Sequence, residues 1–129
     1  MLHREITETI LGCCFEVSNE LGSGFLESVY EKALLYLLHE KGLKATSQVP
    51  ITVSFRDQIV GDFFADLLVE DKIIVELKAV NKLAPEHLAQ VINYLKATGL
   101  DTGLLINFGN QKLDYRRLYN KIENLNKQG

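Results

Sequence analysis

Three ionisable residues stand among apolar neighbours: Asp66 in Gly61-Asp-Phe-Phe-Ala-Asp-Leu-Leu-Val-Glu70, and Glu76 and Lys78 in Lys72-Ile-Ile-Val-Glu-Leu-Lys78. Charged side chains are rarely sunk into an apolar strand unless they are paired or bound to metal. The two segments read as short strands joined by a tight polar loop of Glu70, Asp71 and Lys72. Glu76 and Lys78 are two apart and so share a face of their strand. A three-residue loop pairs Val69 with Ile73, and therefore Asp66 with Glu76, so both carboxylates project together with Lys78 one pleat further on. A two-residue loop would set Asp66 against Leu77 and send the carboxylates to opposite faces, so the spacing predicts an odd-length loop or a bulge. Two carboxylates at one spot repel each other unless a cation lies between them, and hard oxygen donors suit Mg²⁺ or Mn²⁺.

Asp66, nine intervening residues, then Glu76-x-Lys78 resemble the signature of the PD-(D/E)xK nuclease superfamily, with Ala65 in place of the proline before the first acid. Gly24-x-x-Glu27-x-x-Tyr30 resembles the motif that names the GxxExxY branch of that superfamily. Leu21 to Glu31, Ala65 to Val69, Val75 to Ala79 and Leu104 to Gly109 also look like that branch's blocks. Gln90-x-x-x-Tyr94 resembles a motif of RecB-type nuclease domains, and its spacing sets amide and phenol on one helical face.

The resemblance implies an α/β fold with a mixed four- to five-stranded sheet flanked by helices. It further implies a Mg²⁺ or Mn²⁺ site held by Asp66 and Glu76, joined by Glu27 and the backbone carbonyl of Leu77. Lys78 then orients or activates the attacking water, Gln90 positions water or substrate, and Tyr94, Lys96 and Tyr30 contact nucleic acid. Each residue also has a plainer reading. Glu27 suits a helix start through the dipole, Tyr94 suits a core, and Lys96 and His87 suit a solvated surface.

Composition narrows the classes. With 129 residues the chain is expected to form one domain, residues 1–129. Its 47% apolar and 24% charged residues exclude wholesale disorder. No apolar run of about 18 residues and no charged-then-apolar leader is present, so the expectation is a cytoplasmic protein with no membrane span. Cys13 and Cys14 are adjacent and lack metal-ligand spacing. The net charge of −3 argues against a nonspecific nucleic-acid coat, although residues 112–129 carry five Lys/Arg against two acids.

The site must be positioned by elements on either side of the hairpin. Residues 4–21 read as a helix with Ile6, Ile10, Val17 and Leu21 on one stripe. It stops at Gly22-Ser23-Gly24, where Ser23 could cap the next helix. That second helix is expected from about Phe25 to Lys41, with Leu26, Val29, Tyr30, Ala33, Leu34, Leu37 and Leu38 as its buried face. Residues 47–55 alternate as a strand, Arg56-Asp57-Gln58 turns, and the carboxylate hairpin comes after it. Pro85 opens a helix to Thr98, residues 104–108 form a buried strand, and a last short strand and helix are placed within 112–126.

Metal-dependent phosphodiester hydrolysis is the leading reading, with nucleic acid as partner. The alternative is a catalytically silent nucleic-acid-binding or assembly module that retains the nuclease fold and depends on a protein partner or a homodimer. A purely structural network of Asp66, Glu76 and Lys78 would leave one negative charge over.

Overall fold

The computed structural model describes residues 3–120. Helical apolar spacing forms α1 (Arg4–Leu21) and α2 (Glu27–Glu40), followed by β1 (Ala45–Phe55), β2 (Gln58–Val69) and β3 (Ile73–Lys78). Then come α3 (Pro85–Thr98), β4 (Thr102–Asn107) and β5 (Asp114–Tyr119). This is the element order expected from sequence. Some boundaries shift by one or two residues: β1 starts at Ala45, β4 is Thr102–Asn107, and α2 starts at Glu27 with an extended Leu26 before it and no side-chain cap, so Ser23 does not cap it. Leu26 and Val29, expected on the buried face of α2, are exposed because the helix starts only after Leu26 and turns Val29 outward. Among the described residues the last strand is β5, and the helix expected after it falls largely outside those residues.

The five strands form one sheet in the order β1-β2-β3-β4-β5. β3 and β4 are parallel and linked across α3, whereas the other neighbours are antiparallel. Helices cover both faces. Leu67, Val69, Ile73, Val75 and Leu77 pack with Leu104 and Ile106 against Ile10, Cys14, Val17, Leu34 and Leu38 of α1 and α2. On the other face Ile51, Ala65 and Ile74 meet Tyr94 and Leu95 of α3, and Val91 packs with Leu83 and Leu105. Burying each apolar side chain contributes on the order of 1.5–3 kcal/mol, so this two-sided core holds β3 and β4 firmly. No helix among the described residues is long and apolar enough to cross a membrane.

In a regular strand Ala65, Leu67 and Val69 would all face one way. Here Leu67 and Val69 belong to the α1/α2 side and Ala65 to the α3 side, and on β1 Ala45 and Ile51 divide in the same manner. The reversal falls at Gln48, whose φ of 51° lies in the left-handed region, and at Asp66 opposite it. The β1–β2 ladder is interrupted there, between Ser47↔Leu67 and Val49↔Ala65. β3 pairs with β2 only from Leu67 to Val69, so the remainder of β1 and β2 continues as a two-stranded arm. The sheet therefore kinks at the first candidate acid.

A second constraint fixes the exit of β3. Asn107, fully buried, accepts hydrogen bonds from the Val80 and Gly109 N–H groups at 3.0 Å each and donates to the Val80 carbonyl at 2.9 Å. Gly109 lies so close to Val80 that a β-carbon there would run into the Val80 carbonyl oxygen, nitrogen and carbon. Rigid backbone leaves no easy relaxation, and overpacking of this kind costs about 1–3 kcal/mol even where side chains can yield. Gly109→Ala is accordingly expected to lower stability by at least about 3 kcal/mol in thermal or urea unfolding. A wild-type melting temperature in that variant would show that the clip is unimportant.

Candidate active site

The loop between β2 and β3 has the expected three residues. Glu70 and Asp71 take left-handed φ values of 54° and 55°, the Lys72 N–H donates to the Val69 carbonyl at 3.0 Å, and Val69 faces Ile73. The register continues through Leu67↔Val75 and brings Asp66 alongside Glu76. At that point side chains take over from the ladder. The Asp66 N–H donates to Glu76 Oε1 at 2.8 Å, and the Leu77 N–H donates to Asp66 Oδ2 at 2.8 Å. Each strand thus holds the other's carboxylate through a backbone amide.

Glu76 is only 4% exposed. Burial, followed by the charge of Asp66, pushes its carboxyl up to about 8, against the lowering effects of the Asp66 amide and of Lys78. Glu27 adds to the upward push, so it lies within electrostatic reach of Glu76. Asp66 has a further acidic neighbour. The Gln48 side-chain amide donates to Glu31 Oε1 at 2.8 Å and lies 3.4 Å from Asp66 Oδ1. Burial raises the Glu31 carboxyl, and the charges of Asp66 and Glu27 push the same way, against the Gln48 hydrogen bond. Lys78 is half-buried and makes no ion pair among the described residues. The site therefore gathers more negative charge than the protein neutralises.

The Gly24, Glu27 and Tyr30 spacing has a structural explanation. Gly24 has φ of 110°, which a side chain would strain. The Tyr30 hydroxyl donates to the Gly22 carbonyl at 2.6 Å and accepts from the Phe25 N–H at 3.2 Å, while its ring stacks on Phe108 at 4.5 Å. This pins the loop that delivers Glu27, which is exposed, to the first turn of α2. Tyr30 itself is fully buried, which corrects the expectation that it touches nucleic acid. Its ring is spent on the core, and its hydroxyl on the loop.

On α3, the Gln90 amide donates to the Tyr94 hydroxyl at 3.0 Å. Burial and then the charge of Glu76 raise the Tyr94 phenol, with Asp66 adding to the effect against the Gln90 hydrogen bond, so both carboxylates lie within electrostatic reach of Tyr94. Lys96 is exposed and lines an open cleft with Gln90 and Tyr94. His87 does not reach it; its Nδ1 accepts the Ala84 N–H at 2.9 Å and closes the start of α3. Sequence reasoning misses Glu31, Gln48 and Phe63. Glu31 stands one helical turn after Glu27, a spacing that could have marked it. Nothing in the residue types marks Gln48 as the kink.

Among the described residues no group of three or more His, Cys, Asp or Glu is arranged to hold a metal ion. The donor set nevertheless fits a hard divalent cation. Mg²⁺ commonly keeps several waters and binds through one or two carboxylates. Glu76 commits Oε1 to a backbone amide, and no hydrogen bond to Oε2 is seen among the described residues.

The sequence profile of the PD-(D/E)XK nuclease superfamily matches residues 4–118. No curated protein matches the sequence. Among solved structures, a protein named SSO0001 is similar with a TM-score of 0.58 at 17% identity, over 78% of this chain and 55% of its own. An alkaline exonuclease, LHK-Exo, from Laribacter hongkongensis is similar with a TM-score of 0.51 at 18% identity, over 72% of this chain and 55% of its own. The chain spans about half the length of each, and these likenesses concern the fold.

The position of Glu76 sets a pH dependence. A carboxyl at about 8 in the fold and 4.5 as its ordinary value keeps its proton in the folded state between those limits. The native state then binds more protons than the unfolded one, so stability falls as pH rises through that window. In chelator-treated protein the loss from pH 5 to pH 8 is expected to be on the order of a few kcal/mol. Glu76→Gln should remove most of that slope and be at least as stable as wild type at the alkaline end. Melting curves across the window check this, and a wild-type stability that rises with pH would contradict it.

Proposed function

The chain belongs to the PD-(D/E)XK nuclease superfamily, and from that premise we propose that it is a divalent-metal-dependent nuclease hydrolysing phosphodiester bonds. The observation that carries the reading is the crossed Asp66–Glu76 pair, with Glu76 buried, Asp66 half-buried and both within electrostatic reach of Tyr94, as Lys78 is of Glu76. Asp66 and Glu76 would hold Mg²⁺ or Mn²⁺, aided by the Leu77 backbone carbonyl and by Glu27 from α2. Such an ion supplies a water of lowered pKa and neutralises charge developing on the phosphate. Lys78, on the same strand face as Glu76, orients the attacking water or meets the phosphate oxygens. Gln90 fixes the hydroxyl of Tyr94, which is largely buried, so Lys96 and the small edge of Tyr94 left open to the cleft would contact the nucleic-acid strand.

Within the superfamily, the Gly24, Glu27 and Tyr30 arrangement supports the GxxExxY branch, and Gln90 with Tyr94 supports a RecB-like helix. Residues 1–129 act on this reading as one nuclease domain in the cytoplasm. One observation favours the second reading, a silent binding or assembly module working with a partner chain or a second copy. Only two acids converge closely, with no third ligand in place among the described residues.

Calorimetric titration of Mn²⁺ separates the two. Wild type is expected to bind at least one ion, with Asp66→Ala or Glu76→Ala abolishing it. Lys78→Ala is expected to retain metal binding while cleavage of nucleic acid falls about 10²–10⁴-fold, as for loss of a positioned proton-transfer group. Cleavage that survives in Lys78→Ala, or metal binding unchanged in Asp66→Ala, would reject this assignment of roles.

A further inference from the structure

The arm of β1 and β2 beyond the kink stands beside α3, and the two enclose an open cleft of about 890 Å³. The arm contributes Thr52, Ser54 and Phe63, and the helix contributes Gln90, Tyr94 and Lys96. This volume lies toward the upper end of the ~300–1,000 Å³ typical of ligand pockets, suited to a short flexible segment.

Two observations select the occupant. The first is aromatic. Phe63 is 44% exposed, and its ring centroid lies 5.8 Å from that of Tyr94 at a tilt of 44°. Gly61 makes room for that ring, because a β-carbon there would stand 2.9 Å from Phe63 Cε2. The ring is thus laid along the arm with space cleared under it. The Tyr94 ring also packs with Ala65, the chain neighbour of Asp66, and with Ile74 of β3, so the Phe63 and Tyr94 rings line the cleft on the side of the two acids.

The second observation is electrostatic. The cleft's charged lining residues are Lys96 and Glu86, which offset each other, and the chain as a whole carries −3. Affinity for duplex backbone comes from arrays of Lys and Arg that neutralise phosphates. A groove of balanced charge supplies little of that term, whereas an exposed aromatic ring gains affinity by stacking on a base freed from pairing.

We propose that this cleft is the subsite for an unpaired stretch of nucleic acid, with a base stacked on Phe63, so that single-stranded rather than duplex substrate is led to the Asp66–Glu76 pair. The inference rests on the nuclease reading for its direction, although the stacking surface exists independently of turnover. Thr52, Ser54 and Asn93 supply hydroxyl and amide partners along the same walls.

The test is fluorescence anisotropy with a labelled oligothymidylate and a labelled blunt duplex hairpin, in Ca²⁺ so that binding is read without requiring cleavage. Wild type is expected to prefer the single strand. Phe63→Ala should weaken that binding about 5- to 150-fold, the loss expected for one stacked base, and Phe63→Trp should restore it. Mn²⁺ titration of the same variants should match wild type, because Phe63 holds no metal. Equal affinity of wild type for duplex and single strand, or undiminished single-strand binding in Phe63→Ala, would overturn the proposal. Single-strand binding lost in Phe63→Ala but accompanied by no metal binding in wild type would uphold the cleft and sink the nuclease reading. Metal binding without any oligonucleotide binding would do the reverse.

Discussion

The mutual capture of two carboxylates by two backbone amides is the interaction on which the rest of the site depends. Asp66 takes the Leu77 N–H, and Glu76 takes the Asp66 N–H, each at 2.8 Å. In an ordinary hairpin those amides would be spent on carbonyls of the facing strand. Using carboxylates instead lets β2 and β3 diverge without leaving buried donors unmet, which would cost about 1–3 kcal/mol each. The divergence frees β2 to turn with β1 into the arm. It also anchors two carboxyl groups side by side, and burial together with the Asp66 charge raises the Glu76 carboxyl to about 8.

Everything around the pair serves to hold it against that opposition. β3 is gripped by β4 in parallel and by helices on both faces, and its four residues Ile73 to Leu77 other than Glu76 are apolar and buried. Tyr30 and Phe108 stack at the foot of α2 and fix the loop before Glu27. The Gly24 turn, the phenol and the acid thus form one mechanical unit. Only the acid reaches toward the carboxylates.

Much of this arrangement is legible in the residues themselves, because charged side chains in apolar strands and a countable loop length are strong constraints. Face parity alone calls for an odd-length loop or a bulge, and the three-residue loop that pairs Val69 with Ile73 meets it. Periodicity locates the second and third helices with errors of one or two residues at their starts. The kink is not legible. It depends on Gln48 adopting a left-handed φ, to which glutamine has no special claim. Tyr30 is misjudged as a contact for the same reason: a tyrosine at helical spacing shows that one edge is buried, not where the hydroxyl ends. Phe63 escapes notice because a phenylalanine in a strand ordinarily signals core, and only the arm's projection leaves it bare.

The clip formed by Asn107 and Gly109 on Val80 has a consequence in time. Its hydrogen bonds span 27 residues, so the turn leaving Lys78 is settled only once β4 has emerged and paired with β3. During synthesis the carboxylate hairpin is complete well before that, as a local antiparallel unit that forms fast, whereas the parallel pairing across α3 is slower. A ribosome-bound chain ending short of residue 109 would carry both acids in register yet lack the wall that holds Lys78 beside them. Assembly of the site is therefore deferred until almost all of the described fold has left the ribosome.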